Sequence, residues 1–93
     1  MTRREEIEEL LRQRAWTPKE LAEYFDAPMD EIIEDLEHVR RSTQKPYIFK
    51  HLPPKCRRCG FLFKERSRMK PPSKCPQCRA ESIEEGRYFI RQD

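Results

Sequence analysis

Residues 17–42 read TPKELAEYFDAPMDEIIEDLEHVRRS, and the spacing of their apolar side chains decides the fold of the first half of the chain. Thr17-Pro18-Lys19-Glu20 has the S/T-x-x-E form of a capping box. Pro18 stands at the first helical position, where its missing N–H is no loss. Leu21, Ala22 and Phe25 then form a buried stripe. Asp26-Ala27-Pro28 makes a short turn, with Pro28 placed to open the next helix. Met29, Ile32, Ile33, Leu36 and Val39 mark one face of that helix, which runs to about Ser42. Two helices of this length joined by so short a turn fit a helix-turn-helix.

The flanks extend this reading. Upstream, Thr2-Arg3-Arg4-Glu5 is another capping box, followed by Ile7, Leu10 and Leu11 at helical spacing, with Trp16 expected in the core. Downstream, Gln44-Lys45-Pro46 breaks the third helix, and Tyr47-Ile48-Phe49-Lys50-His51-Leu52 reads as a strand. Near the C-terminus, Glu85-Gly86 reads as a turn and Arg87-Tyr88-Phe89-Ile90-Arg91 as a second strand. Three helices followed by two antiparallel strands is the α+β order of a winged helix. The segment between the strands then replaces the tip of the wing.

That segment holds all four cysteines, as Cys56-Arg57-Arg58-Cys59-Gly60 and Cys75-Pro76-Gln77-Cys78-Arg79. The spacing C-x2-C-x15-C-x2-C is that of a zinc ribbon, because two cysteines three apart bend a tight knuckle and two knuckles complete a tetrahedral thiolate shell. Gly60 follows the first knuckle, where positive φ is wanted, and Arg79 takes that place after the second at some cost in strain. Two disulfides or a redox pair are the competing readings. One structural zinc ion is expected, with iron as the less favoured metal. Pro53-Pro54 leads stiffly into the module, and Pro71-Pro72 belongs to the loop before the second knuckle. Phe61-Leu62-Phe63-Lys64 and Ala80-Glu81-Ser82-Ile83-Glu84 are predicted strands, with Phe61, Phe63 and Ile83 as a small ribbon core. The expected organisation is 1–52 for the helices and first wing strand, 53–84 for the ribbon, and 85–93 for the returning strand.

The chain has 93 residues, 35% apolar and 40% charged. So small and polar a domain needs a staple, which a structural metal supplies. The first twenty residues lack the apolar core of a secretory signal, and no apolar run is long enough to span a membrane. The expected location is the reducing cytoplasm. The net charge of +3 conceals segregation: residues 1–39 carry −7, residues 40–79 carry +12 with Glu65 as their one acid, and residues 80–93 carry −2. A basic segment of this kind favours an anionic partner, most commonly nucleic acid, or association between halves of two copies.

In TPKELAEYF, EDLEHVRRS, CRRCGFLFK and SKCPQCRAESIEEGRYFI, taken in that order over nearly the whole length, the chain resembles an archaeal family of predicted transcriptional regulators. In that family a winged helix-turn-helix carries a rubredoxin-like zinc ribbon. The resemblance implies a winged helix with the ribbon inserted at the wing. It also implies zinc on Cys56, Cys59, Cys75 and Cys78, and a DNA-binding role.

The third helix argues against the usual docking. With Ile32, Ile33, Leu36 and Val39 facing the core, Asp30, Glu31, Glu34, Asp35, Glu37 and His38 are expected to face outward. Four carboxylates would then meet a polyanion. Nucleic acid, with duplex DNA the expected form, is therefore predicted to contact the ribbon and wing through Arg40, Arg41, Lys45, Lys50, Arg57, Arg58, Lys64, Arg66 and Arg68. The alternatives are a protein-interaction adaptor of the transcription machinery, a charge-driven homodimer, or a rubredoxin-like iron electron carrier. No catalytic role or small-molecule substrate is expected. A closed four-cysteine site offers no open coordination position, and His38 and His51 have no paired nucleophile.

Overall fold

The Thr2 hydroxyl opens α1 (Arg3–Gln13) by accepting from the Glu5 backbone N–H at 3.2 Å. The return half of the expected box differs: the Glu5 carboxylate takes the Thr2 hydroxyl at 3.1 Å. At α2 (Pro18–Phe25) the box is complete. Glu20 N–H donates to the Thr17 hydroxyl at 3.0 Å, and Thr17 N–H to the Glu20 carboxylate at 2.9 Å. That backbone N–H, helped by Arg14 and Arg87 against the effect of burial, holds the Glu20 carboxyl below its ordinary pKa. Asp26 closes α2 in the left-handed region (φ 51), which a short polar side chain tolerates. Pro28 caps α3 (Met29–Ser42) from one residue outside it, so Pro28 precedes the helix where the sequence suggested that it opens it. The computed structural model describes residues 1–64, 69 and 72–92.

Ile7, Leu11, Leu21, Ile32, Leu36 and Val39 are fully buried and pack the three helices together. β1 (Tyr47–Leu52) pairs antiparallel with β4 (Arg87–Gln92), from Tyr47 opposite Gln92 to Leu52 opposite Arg87. Alternation turns Tyr88 and Ile90 into the core. Phe49 and His51, on the same face of β1, lie against the Tyr88 ring with centroids 5.8 and 5.0 Å away. The segment between α1 and α2 joins the far edge of β4. Trp16 N–H donates to the Tyr88 carbonyl at 3.0 Å and Tyr88 N–H to the Trp16 carbonyl at 2.9 Å. The architecture is thus α+β, three helices against a small antiparallel sheet, with the cysteine module between β1 and β4. Among the described residues, no helix is long and apolar enough to cross a membrane.

Within the module, the predicted strands are shorter than the apolar pattern suggested. Among its described residues only β2 (Lys55–Cys56) and β3 (Ile83–Glu84) pair as strands, while Leu62 makes a single bridge to Lys55. The physical reason is local: a knuckle turn commits the backbone before a ladder can extend. Cys56 N–H donates to the Phe61 carbonyl, and Phe63 N–H to the Pro54 carbonyl. Pro54 is buried, so the Pro53-Pro54 pair is packed in place. A Cβ on Gly86 would sit 3.0 Å from both the Leu52 carbonyl and Pro54 Cδ, so glycine there permits close approach of β1 and β4.

Asp35 corrects the expectation of a uniformly solvated acidic face on α3. It is 5% exposed, with Arg3 Nε on Oδ2 at 2.5 Å and Arg4 Nε on Oδ1 at 2.9 Å, tying the start of α1 to the middle of α3. A hydrogen bond to Asp35 raises the Arg3 pKa above its ordinary value, and Glu31 adds to the effect at 3.4 Å. Helical spacing alone puts residue 35 beside the buried stripe, and no local pattern announces its partners 31 and 32 residues away. Replacing Asp35 by Asn should lower stability in urea by about 1–3 kcal/mol, because both arginines are exposed enough to regain water. A loss below the error of the melt would remove this role.

Candidate metal centre and basic surface

The two knuckles are built alike. Cys56 N–H donates to the carbonyl of Phe61 and accepts back, through its own carbonyl, the N–H of Gly60, at 2.8 and 2.9 Å. Cys75 repeats the pattern with the Ala80 carbonyl and the Arg79 N–H, at 2.9 and 2.8 Å. Gly60 and Arg79 both have positive φ, 81° and 62°. Arg79 therefore adopts the conformation that glycine takes in the first knuckle, and holds it at some steric cost. The N–H of Gln77 points at Cys75 Sγ from 3.4 Å, the kind of donor that offsets thiolate charge.

The four sulfurs lie within 4.8 Å of one another, with Cys56 and Cys78 at 3.6 Å and Cys59 and Cys75 at 3.5 Å. Those separations far exceed the ~2.05 Å of a disulfide bond, and all four cysteines are free. They are close to the ~3.8 Å edge of a tetrahedron with ~2.3 Å metal–sulfur bonds, so Cys56, Cys59, Cys75 and Cys78 form a zinc-ribbon-type metal site. Cys56 and Cys75 are buried and Cys59 is exposed. The backbone N–H of Cys59, with that of Arg58, holds the Cys56 thiol down at about 6 against the effect of burial. At Cys59 the Phe61 N–H acts in the same sense, but desolvation of its sulfur among the other cysteines and hydrogen bonds with Cys75, Cys78 and Cys56 outweigh it and push that thiol up to about 12. The set cannot carry four negative charges unaided, and a divalent cation is the natural neutraliser.

Of the basic residues singled out in the sequence, Arg40, Arg41 and Lys45 are exposed at and just after the C-terminus of α3. Lys50 is half-buried on β1, on the side of the sheet opposite Tyr88. Arg57 and Arg58 are exposed in the first knuckle, and Lys64 is exposed after it. The six residues of β1, about 17 Å long, separate the first group from the second, so the two do not converge on one pocket. Arg66 and Arg68 lie outside the described residues. The ion pairs among the described residues belong elsewhere: Arg3, Arg4, Arg14 and Arg87 pair with Glu20, Glu31 and Asp35. Among the described residues, no cation between positions 40 and 79 is paired with a carboxylate.

One residue of the module reaches out of it. Met69 is 5% exposed and belongs to the core cluster of the helices, Tyr88 and Ile90. A lone Met among charged residues gives no periodic signal from which such a contact could be read.

Comparison with known proteins covers both parts of the chain. Residues 2–47 match the family model described as PF0610-like, N-terminal, and residues 53–93 match that of the PF0610 rubredoxin-like zinc β-ribbon domain. The solution NMR structure of protein PF0610 from Pyrococcus furiosus is 34% identical, with a TM-score of 0.79. The alignment covers 98% of this chain and 90% of that one. No curated protein matches.

Proposed function

The chain belongs to the PF0610-like family, and from that premise we propose that it is a cytoplasmic winged-helix regulator that binds duplex DNA through its ribbon and wing. The observation that carries this reading is the unpaired charge. Exposed Arg57, Arg58 and Lys64 have no carboxylate partner among the described residues, whereas Arg3, Arg4 and Arg14 of the helical half are paired with Asp35 and Glu20. Cations left free in this way are available to phosphates. The pairing of Trp16 with Tyr88 supports the winged-helix arrangement, since it adds the inter-helix segment to the edge of the β1–β4 pair. In this reading α3 stays out of the groove, because Asp30, Glu31 and Glu34 are exposed near its start. Arg40, Arg41, Lys45 and Lys50 supply secondary phosphate contacts. Cys56, Cys59, Cys75 and Cys78 would hold one zinc ion, whose role is structural, and the protein has no catalytic activity.

The test is a titration of the full chain against duplex DNA at several salt concentrations, alongside the variant Arg57→Ser/Arg58→Ser/Lys64→Ser. Each phosphate contact contributes about −0.9 to the slope of log K against log salt. The variant should flatten that slope by about 2–3 and weaken binding by roughly 10–100-fold at moderate salt. An unchanged slope would exclude the ribbon as the contact surface.

A further inference from the structure

Three of the four most exposed large apolar side chains among the described residues, Met1 (76%), Tyr24 (59%) and Leu52 (47%), line two adjoining hollows on either side of the C-terminal half of α1. Gln13 borders both. The hollows differ in sign. Around Met1 and Tyr24 the charged side chains are Glu6 and Glu9, and no Lys or Arg among the described residues lines that hollow. Around Leu52 and Phe89 they are Arg12, Arg14 and Arg91, and among the described residues no carboxylate lines that one. Arg14 is already engaged by Glu20 and by the Trp16 ring, 3.6 Å from its guanidinium. Arg12 is laid over the Tyr47 ring at 4.2 Å, and neither Arg12 nor Arg91 has an ion-pair partner among the described residues.

We propose that this face binds a second copy of the chain in a two-fold dimer, with Gln13 near the axis. A two-fold contact lays each patch against its neighbour's counterpart, so two adjoining patches of opposite sign become self-complementary. Glu6 and Glu9 of one copy then meet Arg12 and Arg91 of the other, twice over, while Met1, Tyr24 and Leu52 are covered. A small acid would fill only the basic hollow, and a basic peptide only the acidic one. A second copy is the occupant that uses both. Self-association through two small hollows is expected to be reversible and concentration-dependent. The proposal does not rest on DNA binding and uses none of the ribbon residues.

The experiment is sedimentation of the full chain from about 10 µM to about 1 mM, at low salt and near 0.5 M salt. A reversible dimer weakened by salt is expected. Arg12→Glu/Arg91→Glu and Glu6→Lys/Glu9→Lys should each weaken self-association by roughly 10–100-fold, with the fold checked by circular dichroism. An equimolar mixture of the two variants should restore the dimer, because each then presents the sign that the other needs. Arg57→Ser/Arg58→Ser should leave it unchanged. A wild-type monomer throughout, a failure of the mixture to associate, or loss of the dimer in the ribbon variant would each overturn the proposal.

Discussion

Stripping the metal, or replacing Cys56 or Cys75 by Ser, is expected to unfold the ribbon while the three helices persist at reduced stability. The ribbon has little else to hold it. Its strands are two residues each, and of its proposed apolar core only Phe63 is buried, with Phe61 half-buried against it at 5.1 Å between ring centroids. Burial of one aromatic side chain contributes about 1.5–3 kcal/mol, whereas a structural zinc site contributes about 10–16 kcal/mol. Metal binding therefore decides whether this segment is folded. With the ribbon unfolded, residues 53–86 become one long loop between β1 and β4, at an entropic cost of ~3 kcal/mol. Withdrawal of Met69 from the core removes a further ~2 kcal/mol. Against a total stability of about 5–14 kcal/mol for a domain of this length, the helical half should survive at room temperature and melt well below the metal-loaded protein. Amide spectra before and after chelation give the answer. The signals of Cys56, Gly60, Cys75 and Arg79 should collapse toward random-coil positions while those of α1–α3 remain dispersed. Ribbon amides that stay dispersed without metal would remove its structural role, and a red preparation with visible absorption would identify iron in place of zinc.

How much of this was legible in the sequence depends on the range of the interaction. Helices and knuckles are local. Thr17, Pro18 and Glu20 announce α2 within four residues, and the two C-x2-C pairs announce the metal site because a thiolate shell demands that spacing. Asp35 was misread because burial of a carboxylate depends on where Arg3 and Arg4 arrive, and helical periodicity is blind to that. The Phe61–Lys64 strand failed for a related reason. Its apolar run is genuine, but the backbone groups that a ladder would use are taken by the knuckle and by Pro54. Met69 and the opposed hollows beside α1 are tertiary placements with no periodic signature. The acidic stretch DEIIEDLEHVRR keeps part of its original meaning. Asp30, Glu31 and Glu34 are exposed, and Asp30 and Glu31 complement the positive end of the helix dipole, as Arg40 and Arg41 complement the negative end.

Trp16→Ala should lose about 3–5 kcal/mol of stability, the largest loss expected in the helical half from a single side chain. Trp16 is 9% exposed and closes the junction between α1, α2 and the sheet. Its indole N–H donates to the Leu10 carbonyl at 3.0 Å, the same carbonyl that accepts the Arg14 N–H at the C-terminus of α1. The Arg14 guanidinium covers one face, and the Tyr24 ring meets it edge-on at 5.6 Å. Truncation leaves a cavity, removes one of the two hydrogen bonds on the Leu10 carbonyl and uncovers an arginine, in a domain whose total stability is only about 5–14 kcal/mol. The backbone pairing with Tyr88 needs no indole, so Trp16→Phe should keep the strand contact and most of the packing, losing about 1–2 kcal/mol. Urea melts followed by circular dichroism are the measurement, since both variants remove the chain's only tryptophan as a fluorescent probe. Hydrogen exchange at the Trp16 and Tyr88 amides separates the contributions. Both amides should stay protected in the Phe variant and exchange much faster in the Ala variant. Equal losses in the two would mean that the indole N–H, and not the bulk of the ring, holds the inter-helix segment against β4.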